Sequence, residues 1–261
     1  MPETRVRDPN SNDQRVRFPM LGLRVCKSLF WHESTRPFPK PVTGASCFIV
    51  RIEGRYIGIT AGHVVDLFRE ARRANPAINC QLMHASLDLE LAIVGFSAKR
   101  DVATFEVPPK LIDEGLRPGI IDCLDWPPPV PVRGAPAMLI GYPEGMRTIN
   151  RAADATFMAW SCLELIEDVT RREIVMVYDP SRSKSMLEDK GLPPPSFNLS
   201  GCSGGPALTF EFRNGEWLPH PAGVIIRGPG DGSKGEFGEI AVVRAARLDC
   251  IRSDGTISDD D

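Results

Sequence analysis

The sequence has no long hydrophobic run. No stretch approaches the ~18 consecutive apolar residues that a membrane-spanning helix requires. Its opening residues, Met-Pro-Glu-Thr-Arg-Val-Arg-Asp-Pro-Asn, have no apolar centre of the kind a secretion signal carries. An excess of one charge is also missing. Lys and Arg number 31 against 34 Asp and Glu, a formal net charge of −3. Such a chain presents no broad positive field to a phosphate backbone, so nucleic acid is not an expected partner, and neither is a membrane. Seven cysteines are present (Cys26, Cys47, Cys80, Cys123, Cys162, Cys202 and Cys250), but none forms a CxxC pair. That argues against a zinc knuckle or a dithiol motif, and no metal or cofactor is expected. An odd number at irregular spacing fits reduced thiols acting as small buried apolar groups, as in a cytoplasmic protein.

Chain-breaking residues are abundant. Pro 24 and Gly 23 leave little room for long helices. Hydrophobic residues at 42% and charged residues at 25% nevertheless suffice for a buried core, which excludes a wholly disordered chain. Short strands dominate the pattern. Ala45 to Ile52 and Arg55 to Thr60 are β-branched runs separated by Glu53-Gly54, a two-residue hairpin signal. Leu87 to Phe96 alternates. Val102–Val107, Ala137–Tyr142, Ala155–Leu165, Glu173–Tyr178, Ala207–Arg213, Ala222–Arg227 and Glu239–Val243 continue the series, and Asn214-Gly215 marks another turn. Helical signals are confined to Asp66–Arg73 and a short C-terminal segment, Val243–Ile251. Strands at this spacing predict an all-β sandwich or barrel.

The stiff Trp126-Pro127-Pro128-Pro129-Val130-Pro131 run divides the chain into two β domains, 18–126 and 127–252. Residues 1–17 and the acidic 253–261 read as solvated tails. A polar, proline-rich stretch over 179–200 reads as a long loop, and long loops in compact domains tend to carry function.

The strongest local signal is Gly201-Cys202-Ser203-Gly204-Gly205-Pro206. A nucleophilic serine needs an exposed hydroxyl and nearby N–H donors, and flanking glycines allow both. These letters also satisfy the G-x-S-x-G elbow of α/β-hydrolases, but chain order excludes it. Only His220 follows Ser203, and there are no βα units. The opposite order is available. His63, in Thr60-Ala61-Gly62-His63-Val64-Val65, precedes Asp101, in Asp101-Val102-Ala103, and both precede Ser203. In that set Ser203 attacks, His63 takes and returns the proton, and Asp101 orients the imidazole and stabilises its cation. Asp66 and Asp88 are rivals for the acid. Cys202 reads as a structural thiol, His32, His84 and His220 as surface or loop residues, and Arg69 to Arg73 as a solvated helix face.

These residues carry a resemblance. Ser46-Cys47-Phe48-Ile49-Val50 with the His63 motif, the Asp101 block, the Gly201–Pro206 loop, Ile140-Gly141-Tyr142-Pro143 and Gly223-Val224-Ile225-Ile226 together resemble trypsin/chymotrypsin-like serine peptidases. The likeness is strongest to the bacterial HtrA-type protease domain without its PDZ module, and it spans roughly residues 40 to 250. It implies two six-stranded antiparallel β-barrels with the active site between them, and serine endopeptidase activity through an acyl-enzyme. It also implies an oxyanion hole from the Gly201 and Ser203 N–H groups. Departures accompany it. Val64 stands where vertebrate-type members have a Cys, Cys202 stands where many secreted members have an Asp, and no Arg-Ile-Val-Gly-Gly activation site is present.

The resemblance places the primary specificity pocket among Phe197, Leu199, Val224, Ile225 and Ile226, which implies cleavage after medium apolar residues of a protein or peptide substrate. The alternative is a latent or inactive protease-fold module that needs a regulatory protein partner to order its 179–200 loop.

Overall fold

Glu53 and Gly54 adopt φ of 49° and 82°, the paired left-handed conformations that a two-residue hairpin turn requires. They join two strands of the first half. The computed structural model describes residues 24–33, 42–123, 125–149, 155–179, 199–213, 216–228 and 241–260. In chain order the first half comprises β1 (Cys26–Glu33), β2 (Thr43–Ile52), β3 (Arg55–Ala61), α1 (Gly62–Ala74), β4 (Ile78–Leu82), β5 (Ala85–Ser86), α2 (Leu89–Ala92), β6 (Ile93–Ser97), β7 (Val102–Glu106) and β8 (Ile121–Asp122). The second comprises β9 (Pro136–Gly141), β10 (Arg147–Ile149), β11 (Ala155–Phe157), β12 (Trp160–Val169), β13 (Glu173–Tyr178), β14 (Pro206–Arg213), β15 (Glu216–Arg227) and β16 (Ala241–Arg247).

The second half forms a closed six-stranded barrel in the order β12-β13-β16-β15-β14-β9. The first half is an eight-stranded sheet, ordered β5-β4-β1-β2-β3-β7-β6, with β8 added to β2. No second closed barrel is present among the described residues. The chain passes from edge strand β5 to edge strand β6 through α2, where the alternation over Leu87–Phe96 predicts continuous strand. Asp88 explains the change. Its carboxylate accepts from Leu91 N–H at 3.5 Å and from Arg72 Nη1 at 2.8 Å, so it caps a helical turn instead of sitting in a ladder.

The C-terminal helix expected over Val243–Ile251 is likewise absent. Ala241–Arg247 is strand, paired with β13 on one side (Val243 opposite Met176) and β15 on the other (Ala246 opposite Val224). Closing the barrel engages both edges of this segment, and that outweighs its helical propensity. The expected helix over Asp66–Arg73 is real but longer. Val64, Val65 and Phe68 share its buried face, and Arg72 and Arg73 lie in its last turn, where cations suit the helix dipole.

The two halves share one core. Phe48, Val50 and Ile59 of the sheet pack in the same cluster as Met138, Ile140, Leu208 and Val224 of the barrel. Trp126, at the start of the expected linker, donates its indole N–H to Ile251 O at 2.7 Å. Residues 253–260, expected as a solvated tail, instead lie against the first sheet. Thr104 Oγ1, fully buried, donates to Gly255 O at 2.5 Å, Arg55 reaches Asp254 O at 2.9 Å, and Ile257 bridges to Ile251. The physical reason lies in Gly95, whose missing side chain leaves room for the Gly255 carbonyl to approach. Residues 1–17 and most of the 179–200 loop lie outside the described residues, as does the Asn214-Gly215 turn. No helix among the described residues is long and apolar enough to cross a membrane.

Removing residues 253–261 takes from the buried Thr104 hydroxyl its shorter acceptor, Gly255 O, and leaves it Gly95 O at 3.5 Å, a loss of about 1 kcal/mol before any apolar exposure is counted. The truncated protein is expected to melt roughly 5 °C lower. A thermal melt that matches the full chain would show that this segment contributes nothing to the sheet.

Candidate active site

β3 and β7 pair antiparallel with Ala61 opposite Val102, so the next step of the register sets Asp101 against the first turn of α1. The backbone there suits an aspartate, since φ at Asp101 is 54° and Asp tolerates the left-handed region. Its carboxylate uses both oxygens on one residue. Oδ1 accepts the His63 backbone N–H at 2.7 Å, and Oδ2 lies 2.8 Å from His63 Nδ1. The first bond satisfies an otherwise open N–H of α1, whose first turn holds no acidic residue of its own. The second fixes the tautomer. An ionised carboxylate can only accept, so Nδ1 carries the proton and the Nε2 lone pair is free. Burial raises the Asp101 carboxyl, but the His63 ring and backbone bonds, with the charge of Arg227, outweigh it, and the group sits below its usual value of 3.8. Asp66 is exposed and lies 3.9 Å from Arg69, and Asp88 is spent on α2 and Arg72. Among the three acids, Asp101 alone hydrogen-bonds His63.

Ser203 is the second residue of the later of two consecutive tight turns, which meet at Cys202. Cys202 N–H donates to Leu199 O at 2.9 Å and Gly205 N–H to Cys202 O at 2.9 Å. The third residue of each turn is a glycine at positive φ, Gly201 at 92° and Gly204 at 88°. Gly204 has a second reason to be glycine. A Cβ there would lie 2.0 Å from Ser46 O and 2.2 Å from Thr60 Oγ1.

The loop is bound from both halves. Ser200 O accepts from Glu144 N–H at 2.7 Å, Gly201 O from Ser46 Oγ at 2.7 Å and Ser203 O from Ser46 N–H at 2.9 Å. Gly204 N–H donates to Ile225 O at 2.7 Å, and Ile225 N–H donates to Gly205 O at 2.8 Å. With the two turn bonds, every carbonyl from Leu199 to Gly205 except that of Gly204 is thereby engaged. The N–H groups of Cys202, Gly204 and Gly205 are engaged as well. Those of Gly201 and Ser203 have no hydrogen-bond partner among the described residues.

The loop therefore lies on the β2–β3 hairpin whose end carries His63. Thr60, against which Gly204 packs, is three residues from that histidine. Ser203 Oγ makes no hydrogen bond to His63 here. Bonds of this kind are often long in a free enzyme and tighten around substrate. Cys202 is fully buried, and burial pushes its thiol well above the ordinary range, so it is protonated and inert at neutral pH.

The expected pocket residues fare differently. Phe197 lies outside the described residues. Leu199, Val224 and Ile225 are core side chains, and the Ile225 backbone is committed to the nucleophile loop. Ile226 is only partly buried, and exposed Arg227 follows it. Ser46 and Glu144 had no assigned role in the sequence. They act on the loop from 155 and 56 positions away through backbone and hydroxyl bonds, which leave no local pattern. No group of three or more His, Cys, Asp or Glu among the described residues is placed to hold a metal.

No protein-family model matches the chain, and no curated protein sequence matches it.

Asp101 carries a pH signature. Its folded value is depressed, so its contribution to stability is present above the unfolded value of 3.8 and is lost as pH falls through the folded one. Asp101→Asn is expected to be less stable than the parent at pH 7, with the gap narrowing below about pH 3.8. Urea melts at several pH values check this. A gap that stays constant with pH would mean that the carboxylate charge plays no part.

Proposed function

We propose that this protein is a serine endopeptidase of the trypsin/chymotrypsin-like kind, with Ser203 as nucleophile, His63 as general base and Asp101 as the acid that orients it. One observation carries the reading. A serine stands in a loop whose carbonyls are nearly all tied down, while the N–H groups of Gly201 and Ser203 are the two left unpaired among the described residues. Preorganised donors of that sort stabilise the oxyanion of acyl transfer, since they need no rearrangement when charge develops. The oriented His63–Asp101 pair supports the same chemistry.

The steps follow from these roles. Ser203 Oγ attacks the scissile carbonyl, and its proton passes to His63 Nε2. The carbonyl oxygen, now an anion, is held by the two N–H groups. His63 then gives the proton to the leaving amine as the C–N bond breaks, and an acyl-enzyme remains. Water repeats the sequence and frees Ser203. The six-stranded barrel is the counterpart of the nucleophile-bearing barrel in that family. The eight-stranded sheet would be the counterpart of the other, its edges β5 and β6 left unjoined.

A second reading rests on the absence of a hydrogen bond between Ser203 Oγ and His63. It makes the protein a latent module that acquires activity only with a protein partner.

A fluorophosphonate probe separates the two. Labelling of Ser203 in the purified protein, abolished by Ser203→Ala and lost with His63→Ala, is the expected result. Loss of the triad as a unit costs ~10⁶ in turnover. Equal labelling of the His63→Ala variant would remove the base from the mechanism. Absence of label in the parent protein would favour the latent module.

A further inference from the structure

An oxyanion hole depends on which way a peptide plane faces, and a trans peptide points its N–H opposite to its C=O. The N–H of Gly201 belongs to the 200–201 peptide. That plane is held at its other end by the backbone N–H of Glu144, 2.7 Å from Ser200 O. Glu144 begins a short 3₁₀ turn, Glu144–Met146, directly after Pro143. A Cβ at Gly201 would lie 2.6 Å from Tyr142 O and 3.0 Å from Glu144 N, so the two segments run in direct contact. The neighbouring 201–202 plane is pinned separately by Ser46 Oγ, which also accepts Tyr142 N–H at 2.8 Å. The 202–203 plane is pinned within the loop by Gly205 N–H. The Gly201 donor is thus the one whose direction is set from β9's exit turn.

We infer that Glu144 is a positioning residue for the oxyanion hole and acts through its backbone N–H alone. This rests on the peptidase reading and deepens it. Its side chain points elsewhere, with Oε1 3.8 Å from Arg147 Nη1 and about two thirds of its surface exposed (63%). If the Glu144–Ser200 bond is lost, the 200–201 peptide loses the anchor that sets its direction and turns. The Gly201 N–H then leaves the hole while Ser203, His63 and Asp101 stay in place.

The local backbone permits a clean test. Pro143 has φ −61° and ψ 142°, the conformation favoured before a proline, and position 144 is the first of its turn, where proline is accepted. Glu144→Pro removes the N–H and puts ring carbon where its hydrogen was, so the Ser200 carbonyl must leave. Glu144→Ala removes the side chain and keeps the N–H. The readout is the rate at which a fluorophosphonate modifies Ser203. In that reaction Oγ displaces fluoride from phosphorus, its proton passing to His63, and the P=O oxygen enters the hole. The rate is expected to fall ~10²-fold in Glu144→Pro, the usual cost of one oxyanion donor, and to stay within about twofold in Glu144→Ala. The ³¹P resonance of the finished adduct should also shift in the proline variant, because it reports hydrogen bonding to P=O. A merely structural role for Glu144 would leave that resonance unmoved.

Labelling of Glu144→Pro at the parental rate, or an equal loss in Glu144→Ala, would overturn the inference and leave the peptidase reading standing. A parent protein that takes no label overturns both. Where the proline variant does not fold, an α-hydroxy acid at position 144 replaces the N–H by oxygen without altering the backbone angles, and the same two readouts decide.

Discussion

The site depends on the pinning of peptide planes across the boundary between sheet and barrel. Ser46 is the centre of it. This serine, fully buried in β2, donates its N–H to Ser203 O and its hydroxyl to Gly201 O, accepts Tyr142 N–H on that hydroxyl, and accepts Thr60 Oγ1 on its carbonyl. A net ~1 kcal/mol for each such bond understates the constraint. Leaving any one of these buried groups unmade costs about 1–3 kcal/mol, and several would be lost together if the loop shifted. The geometry of the nucleophile loop is therefore as rigid as the docking of the two halves.

The two halves divide the chemistry unequally. The His63–Asp101 pair is built wholly within the first sheet, from the β3–β7 register and the start of α1. It needs nothing from the barrel except the electrostatic help of Arg227. The Ser203 loop belongs to the barrel by sequence but takes its shape from both sides, with Ser46 from the sheet and Glu144 and Ile225 from the barrel. The shared core of Phe48, Val50, Met138, Ile140 and Val224 is what holds those two contributions in one frame.

Much of this was legible from local pattern. The Glu53-Gly54 hairpin, the strands flanking His63 and Asp101, and the Gly-x-Ser-Gly-Gly loop all announce themselves through residue types that only certain backbone conformations accept. Chain order put His63, Asp101 and Ser203 in one candidate set, and the structure bonds the first two and packs Gly204, beside the third, against Thr60. What stayed hidden was non-local. Val243–Ile251 has helical character, and only pairing with β13 and β15 makes its first part a strand. Asp88 interrupts an alternating run because Arg72, sixteen residues earlier, lies within reach. The 253–260 segment is polar along most of its length, yet it docks because Gly95 leaves space for one of its carbonyls. Leu199, Val224 and Ile225 have the composition of a specificity pocket and the positions of a core, a distinction that apolar residues do not record.

Asp101 joins stability and chemistry in a way that Ser203 does not. One carboxylate oxygen holds the first turn of α1 and the other holds the imidazole carried on that turn, so the ring's orientation and the helix's start are a single constraint. A carboxylate placed there has two effects that no neutral side chain of the same shape can reproduce. It satisfies a helix N-terminus with negative charge, and it leaves His63 with a donor-only Nδ1 and a basic Nε2. The Ser203 hydroxyl, by contrast, makes no hydrogen bond among the described residues, and the loop around it is held by backbone groups and the Ser46 hydroxyl. Its removal should leave the fold intact. Separating the two in this way puts the cost of assembling the site on the acid–base pair and on the pinned peptides, and leaves the nucleophile free to react.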